Sequence, residues 1–446
     1  MHPLDRLEQR IADRSAVVGV VGLGYVGLPL AAAMHDAGFR TVGFDTDHAK
    51  IEALTVGAVY IDYLGEAMVR TLAESERFDV TSDMARLGGC DAVLVCVPTP
   101  LKPDRSPELC YVTQAAEAIG RSLEPGRLVV LESTTYPGTT RGEFASALFG
   151  GGGGGGNRVT RDDVLVAFSP EREDPGNAEH TTRSIPKLVG GLDERATRVA
   201  ASFYGAAFES VVPVASAEVA EAAKILENVY RAVNIALVNE MKMLFDAMDI
   251  DVWDVIRAAS TKPFGYTPFW PGPGLGGHCI PIDPYYLSHR AEQVGMPARF
   301  VELAGEINHA MPGYIVDRTL AALRDRGVAA DGARVLVMGL AYKPDIGDVR
   351  ESPSFELIER LRAAGADAQY HDPFVPKTWK MRNYDLGLAS TGLTKESIAA
   401  FDAVIISTAH SAIDYGLIAE HARLVVDTRD AMRPHATAMH GRLIRA

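Results

Sequence analysis

Apolar and polar positions along this chain fall into two strand-and-helix alternations with a long helical stretch between them. Five runs before residue 171 are almost continuously apolar and of strand length: AVVGVVG (16–22), TVGFD (41–45), AVLVCVP (92–98), RLVVLES (127–133) and VLVAFSP (164–170). Strands covered on both faces read this way, and the helical patterns between them predict a parallel sheet flanked by helices. From 216 to 248, SAEVAEAAKILENVYRAVNIALVNEMKMLFDAM has no Gly or Pro and keeps helical spacing. It predicts one unbroken helix of roughly 45 Å at 1.5 Å per residue. That stretch is apolar on more than one face, so it needs neighbours on several sides, and a homodimer interface is one way to supply them.

The second alternation begins near 331, with ARVLVMGLAYKPDIGD as strand and loop, SPSFELIERLRAAG as a helix ending at Gly365, and AVIISTAH and LVVDTRD as further buried strands. The expected fold class is α/β: two Rossmann-like doubly wound domains joined by a long central helix and a helical middle domain. The expected bounds are 1–213, 214–325 and 326–446. Residues 16–34 are uncharged and long enough to suggest a membrane span, but Gly19, Gly22, Gly24, Gly27 and Pro29 fit a strand, a tight turn and a helix start instead. No membrane segment is expected. The seven glycines at 150–156 read as a flexible surface loop within the first domain.

With 446 residues, 47% of them apolar and 23% charged, the composition is that of a folded globular protein. A net charge of −14 argues against a nucleic-acid footprint, so any anionic ligand must be met by a local cluster of Lys and Arg. Cysteines at 90, 96, 110 and 279 form neither a CxxC pair nor a metal-ligand spacing, so no metal and no disulfide framework is expected, and a reducing cytoplasm fits best.

Gly22, Gly24 and Gly27 spell G-x-G-x-x-G at the end of a predicted strand, and Asp45 closes the next strand eighteen positions beyond Gly27. The glycines allow a tight turn and close approach of a pyrophosphate, the helix start favours its charge, and the carboxylate suits ribose hydroxyls. An acid at 45 without an adjacent arginine favours NAD over NADP. A second glycine-rich stretch, GPGLGGHCIPIDPYY (272–286), carries Cys279. A thiolate beside an oxidant can trap an aldehyde as a thiohemiacetal, lose a second hydride to become a thioester, and release an acid to water. Cys279 equally suits a small buried filler. Lys224 and Asn228 stand i, i+4 on the long helix and fit either an oxyanion site or a snorkelling lysine with a surface amide. Asp283, before Pro284, fits a base or a helix N-cap. His278 and Glu171 fit catalysis or ordinary loop positions.

Together, GLGYVGLPL, VPTP, ESTTYPG, SPERE, EAAKILENVYRAVNIALVNE, GPGLGGHCIPIDPYYL and GLAYKPDIGDVRESP resemble the nucleotide-sugar 6-dehydrogenases, the family of UDP-glucose and UDP-N-acetylhexosamine dehydrogenases, over nearly the whole chain. The resemblance implies a four-electron oxidation of a sugar C6 alcohol to the carboxylate with two NAD, serving polysaccharide biosynthesis. It implies Cys279 as thioester nucleophile, Lys224 and Asn228 as the pair that meets charge on the C6 oxygen, Asp283 and Thr134 as handlers of the water, and Glu171 as the acid that aids proton transfer or hydrolysis. It further implies NAD contacts at Gly22, Gly24, Tyr25, Val26, Gly27, Asp45, Pro98, Thr99, Thr134 and Arg350. Sugar-nucleotide contacts are implied at Glu171, Arg172, Lys224, Asn228, Gly276, Lys343 and Arg429. His278 and Ile282 stand where glucose-specific members carry serine and lysine, so the UDP-N-acetylhexosamine branch is favoured, with UDP-glucose or TDP-glucose as the alternative. A two-electron hydroxyacid dehydrogenase of the 6-phosphogluconate type would leave Cys279 idle. An NAD-binding scaffold without turnover would leave the Cys, Lys, Asn and Asp set idle.

Overall fold

The computed structural model describes residues 2–61, 64–150, 159–172, 182–277, 280–381 and 384–446. The chain divides into two compact units, one of Met1–Glu227 with Tyr285–Met296 and one of Asn228–Pro284 with Pro297–Ala446.

The first unit is built on an eight-stranded sheet. Its strands are β1 (Val17–Val21), β2 (Arg40–Phe44), β3 (Phe78–Thr81), β4 (Ala92–Val95), β5 (Arg127–Leu131), β6 (Val164–Phe168), β7 (Lys187–Gly191) and β8 (Val211–Pro213), in the order β3-β2-β1-β4-β5-β6-β7-β8. Every neighbouring pair is parallel except β6 with β7. Alternate residues of the central strands feed two cores. Val18, Val20, Leu94 and Val130 pack into one, and Val21, Val93, Val95 and Val129 into the other. Burial on both faces is the reason these strands are apolar throughout.

The first helix, α1 (Pro3–Ala12), buries Leu4, Leu7 and Ile11. It is tied to the sheet through the buried Asp91, which accepts from Arg10 at 2.6 Å, from Arg127 at 2.9 Å and from the Val17 N–H at 2.8 Å. Helix α2 (Gly27–Asp36) follows β1, and its N-cap residue Val26 offers no side-chain acceptor, so the first amides of the helix are not capped by it. Farther on, α3 (Glu194–Tyr204) packs on the sheet through Val199, Phe203 and Tyr204. The predicted long helix is α4 (Ala217–Ala247), 31 residues, which carries the chain from the first unit into the second. Helix α5 (Asp283–Gln293) begins in the second unit and returns to the first.

In the second unit, β9 (Arg334–Met338), β10 (Asp367–His371), β11 (Ala403–Ile406), β12 (Val425–Asp427) and β13 (Leu443–Arg445) form an all-parallel sheet in the order β10-β9-β11-β12-β13. Helix α6 (Arg299–Asp325) leads into it, and α7 (Pro353–Ala363) follows β9. The turn after β9 resembles the turn after β1 in topology but not in its amides. Asp372 accepts the N–H groups of Leu340 and Ala341, and Ser352 caps α7 by accepting from Ser354.

The apolar runs located five strands of the first sheet, each ending one to three residues before the run does. They did not locate β3, β7 or β8. β3 is half-buried throughout, β7 opens with a lysine, and β8 is three residues long. Residues 151–156 of the glycine run lie outside the described residues. Among the described residues, no helix is long and apolar enough to cross a membrane, and no group of three or more His, Cys, Asp or Glu is placed to hold a metal ion.

Asp91→Ala is expected to lower stability by about 2–3 kcal/mol, somewhat under the cost of breaking a fully buried pair because water can still reach Arg10. Urea unfolding followed by circular dichroism measures it; an unmoved midpoint would mean that solvent satisfies both arginines.

Candidate active site

The turn after β1 has little room for anything but glycine at two positions. Gly22 has φ +92° and a Cβ there would meet the Cys96 carbonyl oxygen at 2.5 Å, while a Cβ on Gly27 would collide with the Gly22 carbonyl oxygen. Gly24 has nothing within 4 Å of its Cβ direction, so this face of the turn is open beside the start of α2. An open glycine turn at a helix start without a side-chain cap is a fitting seat for a pyrophosphate. Asp45, at the end of β2, is 6% exposed and accepts from the Leu23 N–H at 2.8 Å, the Asp47 N–H at 2.9 Å and Lys50 Nζ at 2.9 Å. Burial pushes its carboxyl up, but these three donors outweigh burial and hold it below the usual range. It is a carboxylate at neutral pH, placed at the second strand end where a ribose diol belongs. Tyr25 is exposed, Val26 is half-buried, Pro98 and Thr99 follow β4, and the half-buried Thr134 follows β5, all beyond carboxyl ends of neighbouring strands.

Helix α4 buries polar as well as apolar side chains, Ala220, Ile225, Ala232 and Ala236 among the latter. Its buried side carries Glu221, Lys224, Asn228, Asn239 and Lys242. Glu221 accepts from the Gly138 N–H at 2.6 Å and from Thr140 through both N–H and hydroxyl, at 2.8 and 2.7 Å, which ties the loop after Thr134 to the helix. Burial pushes its carboxyl up to about 7. Asn228 donates to the Asp283 carboxylate at 2.5 Å. Asn239 donates to Asn308 and accepts from the Gly272 N–H, which ties the start of the cysteine loop to the same helix. Lys224 and Asn228 are 8% and 3% exposed, so neither is a surface residue.

Behind SPERE lies a buried charge cluster. Glu171 accepts from the Arg172 N–H at 2.6 Å and from Lys187 Nζ at 3.1 Å, and Lys187 also donates to Glu132 at 2.7 Å. Burial would raise the Glu171 carboxyl; Lys187, the Arg172 N–H and the charge of Lys224 together hold it below the usual range. Arg172 pairs with Glu227 at 2.6 Å and donates to the Pro186 carbonyl.

In the second unit, a cavity of about 600 Å³ is lined by Arg231, Trp253, Trp270, Gly276, Lys343 and Arg429, among others. The two tryptophans stack with centroids 5.6 Å apart and planes at 15°. Arg429 donates Nε to the Ser407 carbonyl at 2.7 Å, and desolvation pushes its guanidinium down to about 10 against the pull of Asp427, so it stays charged at neutral pH. A Cβ on Gly272 would run into that guanidinium, and one on Gly276 would meet Tyr342 Cβ at 2.5 Å. Three cations and an aromatic stack form a setting for a base and its phosphates. A second cavity of about 480 Å³ beside Lys242, Asp246 and Arg445 has these charges already paired, Lys242 with Asp246 and Arg445 with Asp251.

The structure therefore brings Asp45 to the glycine turn, Glu171 and Arg172 to Lys187, Asn228 to Asp283, and Gly276, Lys343 and Arg429 to one cavity. Arg350 forms a forked pair with Asp348, the shortest bond being 2.6 Å, and its carbonyl accepts from the Gly277 N–H. His278 and Cys279 lie outside the described residues. Sequence reasoning missed Glu132, Lys187 and Glu221 as site residues, and also Trp253, Trp270 and Arg231. The available signal was a charge at the edge of an apolar strand run, as at Glu132 and Lys187, or on the apolar-looking long helix, as at Glu221.

Models of the UDP-glucose/GDP-mannose dehydrogenase family match the chain in three successive stretches: the NAD binding domain over residues 16–208, the central domain over 218–310 and the UDP binding domain over 336–434. The UDP-N-acetyl-D-glucosamine 6-dehydrogenase of Pseudomonas aeruginosa is 36% identical over 396 residues, covering 88% of this chain and 90% of that protein. The solved UDP-D-ManNAc dehydrogenase of Pyrococcus horikoshii is similar with a TM-score of 0.81 at 28% identity, over 93% of this chain and 96% of that one. A UDP-glucose dehydrogenase of Pyrobaculum islandicum gives 0.80 at 30% identity, over 92% and 94%.

Asp45→Ala is expected to weaken NAD about tenfold or more, the loss of hydrogen bonds to a charged acceptor. It also narrows the preference over NADP, because Lys50 is released to meet a 2′-phosphate. Calorimetric titration with both dinucleotides measures the two effects; unchanged NAD affinity would remove Asp45 from the ribose site.

Proposed function

The chain belongs to the UDP-glucose/GDP-mannose dehydrogenase family, and from that premise we propose that it oxidises the C6 alcohol of a UDP-N-acetylhexosamine to the carboxylate, in the cytoplasm. The observation that carries the reading is the polar pair buried on α4. Lys224 and Asn228 sit one turn apart, and Asn228 is bonded to Asp283, four residues after Cys279. A buried lysine and amide of this kind suit an oxygen that gains negative charge during reaction.

The Gly22–Gly27 turn and Asp45 would hold NAD, and NAD bound there would supply the hydride acceptor for the two oxidations of C6, one NAD for each. The ammonium of Lys224 and the second amide hydrogen of Asn228 stabilise the C6 oxygen as the alcohol loses its proton. The Cys279 thiolate adds to the aldehyde, and loss of the second hydride leaves a thioester. Asp283 and Thr134 orient the water that cleaves it, Glu171 handles a proton, and the thiolate is released with the acid. Arg429, Lys343 and the Trp253–Trp270 stack line the cavity assigned to the nucleotide. Support for the acetylated sugar comes from His278, Ile282 and the names of the relatives; fold likeness does not discriminate, since the UDP-glucose enzyme superposes as well as the UDP-D-ManNAc enzyme. Free thiols at Cys90, Cys96 and Cys110 suit a reducing compartment.

The assembly proposed is a homodimer through α4. Its outward side carries Val219, Leu226, Tyr230, Leu237 and Leu244, all exposed, at the seven- and four-residue spacings of a single stripe that Met248 continues just past the helix end. A stripe of that length on a helix whose other side is already engaged fits a second copy of the same helix.

Two expected outcomes follow from this reading. NADH formed per UDP-N-acetylhexosamine consumed approaches two, and Cys279→Ser still binds both ligands but makes no acid; a ratio of one in the parent would favour the two-electron alternative. Leu226→Glu combined with Leu237→Glu converts the dimer to monomer in sedimentation velocity, and a parent that already sediments as a monomer would overturn the interface.

A further inference from the structure

Lys187 is a buried cation, 3% exposed, and none of the predicted roles uses it. It opens β7 beside β6, whose carboxyl end leads to Glu171. Its Nζ donates to Glu132 at 2.7 Å and to Glu171 at 3.1 Å, with the Pro170 carbonyl at 3.4 Å, so each ammonium hydrogen has an acceptor. The Tyr204 and Phe208 rings lie 5.5 and 5.4 Å from it, and the Tyr204 hydroxyl donates to the other oxygen of Glu132. Glu132 just after β5, Tyr204 of α3 and Phe208 just beyond it thus gather around the Lys187 ammonium together with the Glu171 carboxylate. Buried ion pairs are poor devices for stability, because apolar residues of the same volume serve as well or better. A buried lysine held by two acids is therefore better explained by what it does to one of them.

We propose that Lys187 is the positioning residue for Glu171, locking it as an aimed carboxylate so that it enters the reaction as a proton acceptor. This rests on the reading above that Glu171 takes part in turnover. Glu132 and Tyr204 anchor the lysine from behind, and Glu132, pushed by burial up to about 6, shares its charge. Among the described residues, other charged or titratable groups facing the pair include Cys96 just after β4, Lys224 on α4, and Arg172, which pairs with Glu227. Removing the lysine leaves two buried carboxylates facing each other, which raises Glu171. Removing the charge of Glu132 gives the lysine wholly to Glu171, which lowers it.

The test is a carbon-13 titration of the protein labelled at glutamate carboxyls, with the Glu171 signal identified by its loss in Glu171→Gln. Lys187→Met is expected to move the Glu171 midpoint up by about one unit or more, Glu132→Gln to move it down, and Lys187→Arg to restore it. In turnover, Lys187→Met loses about tenfold in kcat at neutral pH with KM little changed, and the acidic limb of its pH profile rises with the midpoint. If Lys187→Met fails to fold by circular dichroism, the downward shift in Glu132→Gln carries the test. A Glu171 midpoint that stays put in every folded variant overturns the assignment. The titration does not depend on activity, so a parent protein inert toward every nucleotide sugar would sink the proposed function while the titration still decides the role of Lys187.

Discussion

Much of this molecule depends on a helix that buries five hydrogen-bonding side chains among its buried apolar ones and leaves an apolar stripe exposed. Each buried polar group on α4 needs a partner or loses about 1–3 kcal/mol. Glu221 finds the 138–140 loop, Asn228 finds Asp283, Asn239 finds Asn308 and Gly272, and Lys242 finds Asp246 and the Arg445 carbonyl. Because successive residues turn by about 100°, any other rotation of the helix would break these bonds together. The helix is thereby fixed in orientation by hydrogen bonds, where most helices are fixed by apolar packing. Loops that carry chemistry are the partners: within the first unit Glu221 holds Thr134's loop, and within the second Asn228 and Asn239 hold Asp283 and the start of the cysteine loop.

The glycines of the cysteine loop have a related explanation. They are there because side chains of the second unit press against the backbone: the Arg429 guanidinium occupies the space of a Gly272 side chain, and Tyr342 that of Gly276. The Gly277 N–H is held by the Arg350 carbonyl. A loop that looks loose by composition is thus closely packed from Gly272 to Gly277.

How much of this was legible from residues alone follows from range. Strands buried on both faces announce themselves as apolar runs, and the glycine turn with Asp45 is local enough to read directly. By contrast, Lys187 and Glu132 are 55 positions apart, and nothing near either says that a buried charge is matched. Lys224 and Asn228 were ambiguous because helical spacing gives a shared face without saying which face meets water, and on α4 large apolar residues such as Leu226 and Leu237 are exposed while these two are buried. The stretch of β3 is half-buried on both sides, so its pattern carried no contrast to detect.

An enzyme that must hold two nucleotides at once risks misloading, and the paired turns bear on that. After β1 the amides at the start of α2 have no side-chain cap, whereas after β9 Asp372 and Ser352 have already taken theirs. A pyrophosphate reaching the second turn would meet a carboxylate in place of open donors. The second turn therefore offers an anion fewer open amides than the first, where Asp45 takes only the Leu23 N–H, and the cavity of the second unit is lined instead by arginine and lysine side chains. Selectivity between cofactor and substrate is in this way written into which backbone donors were left unspent.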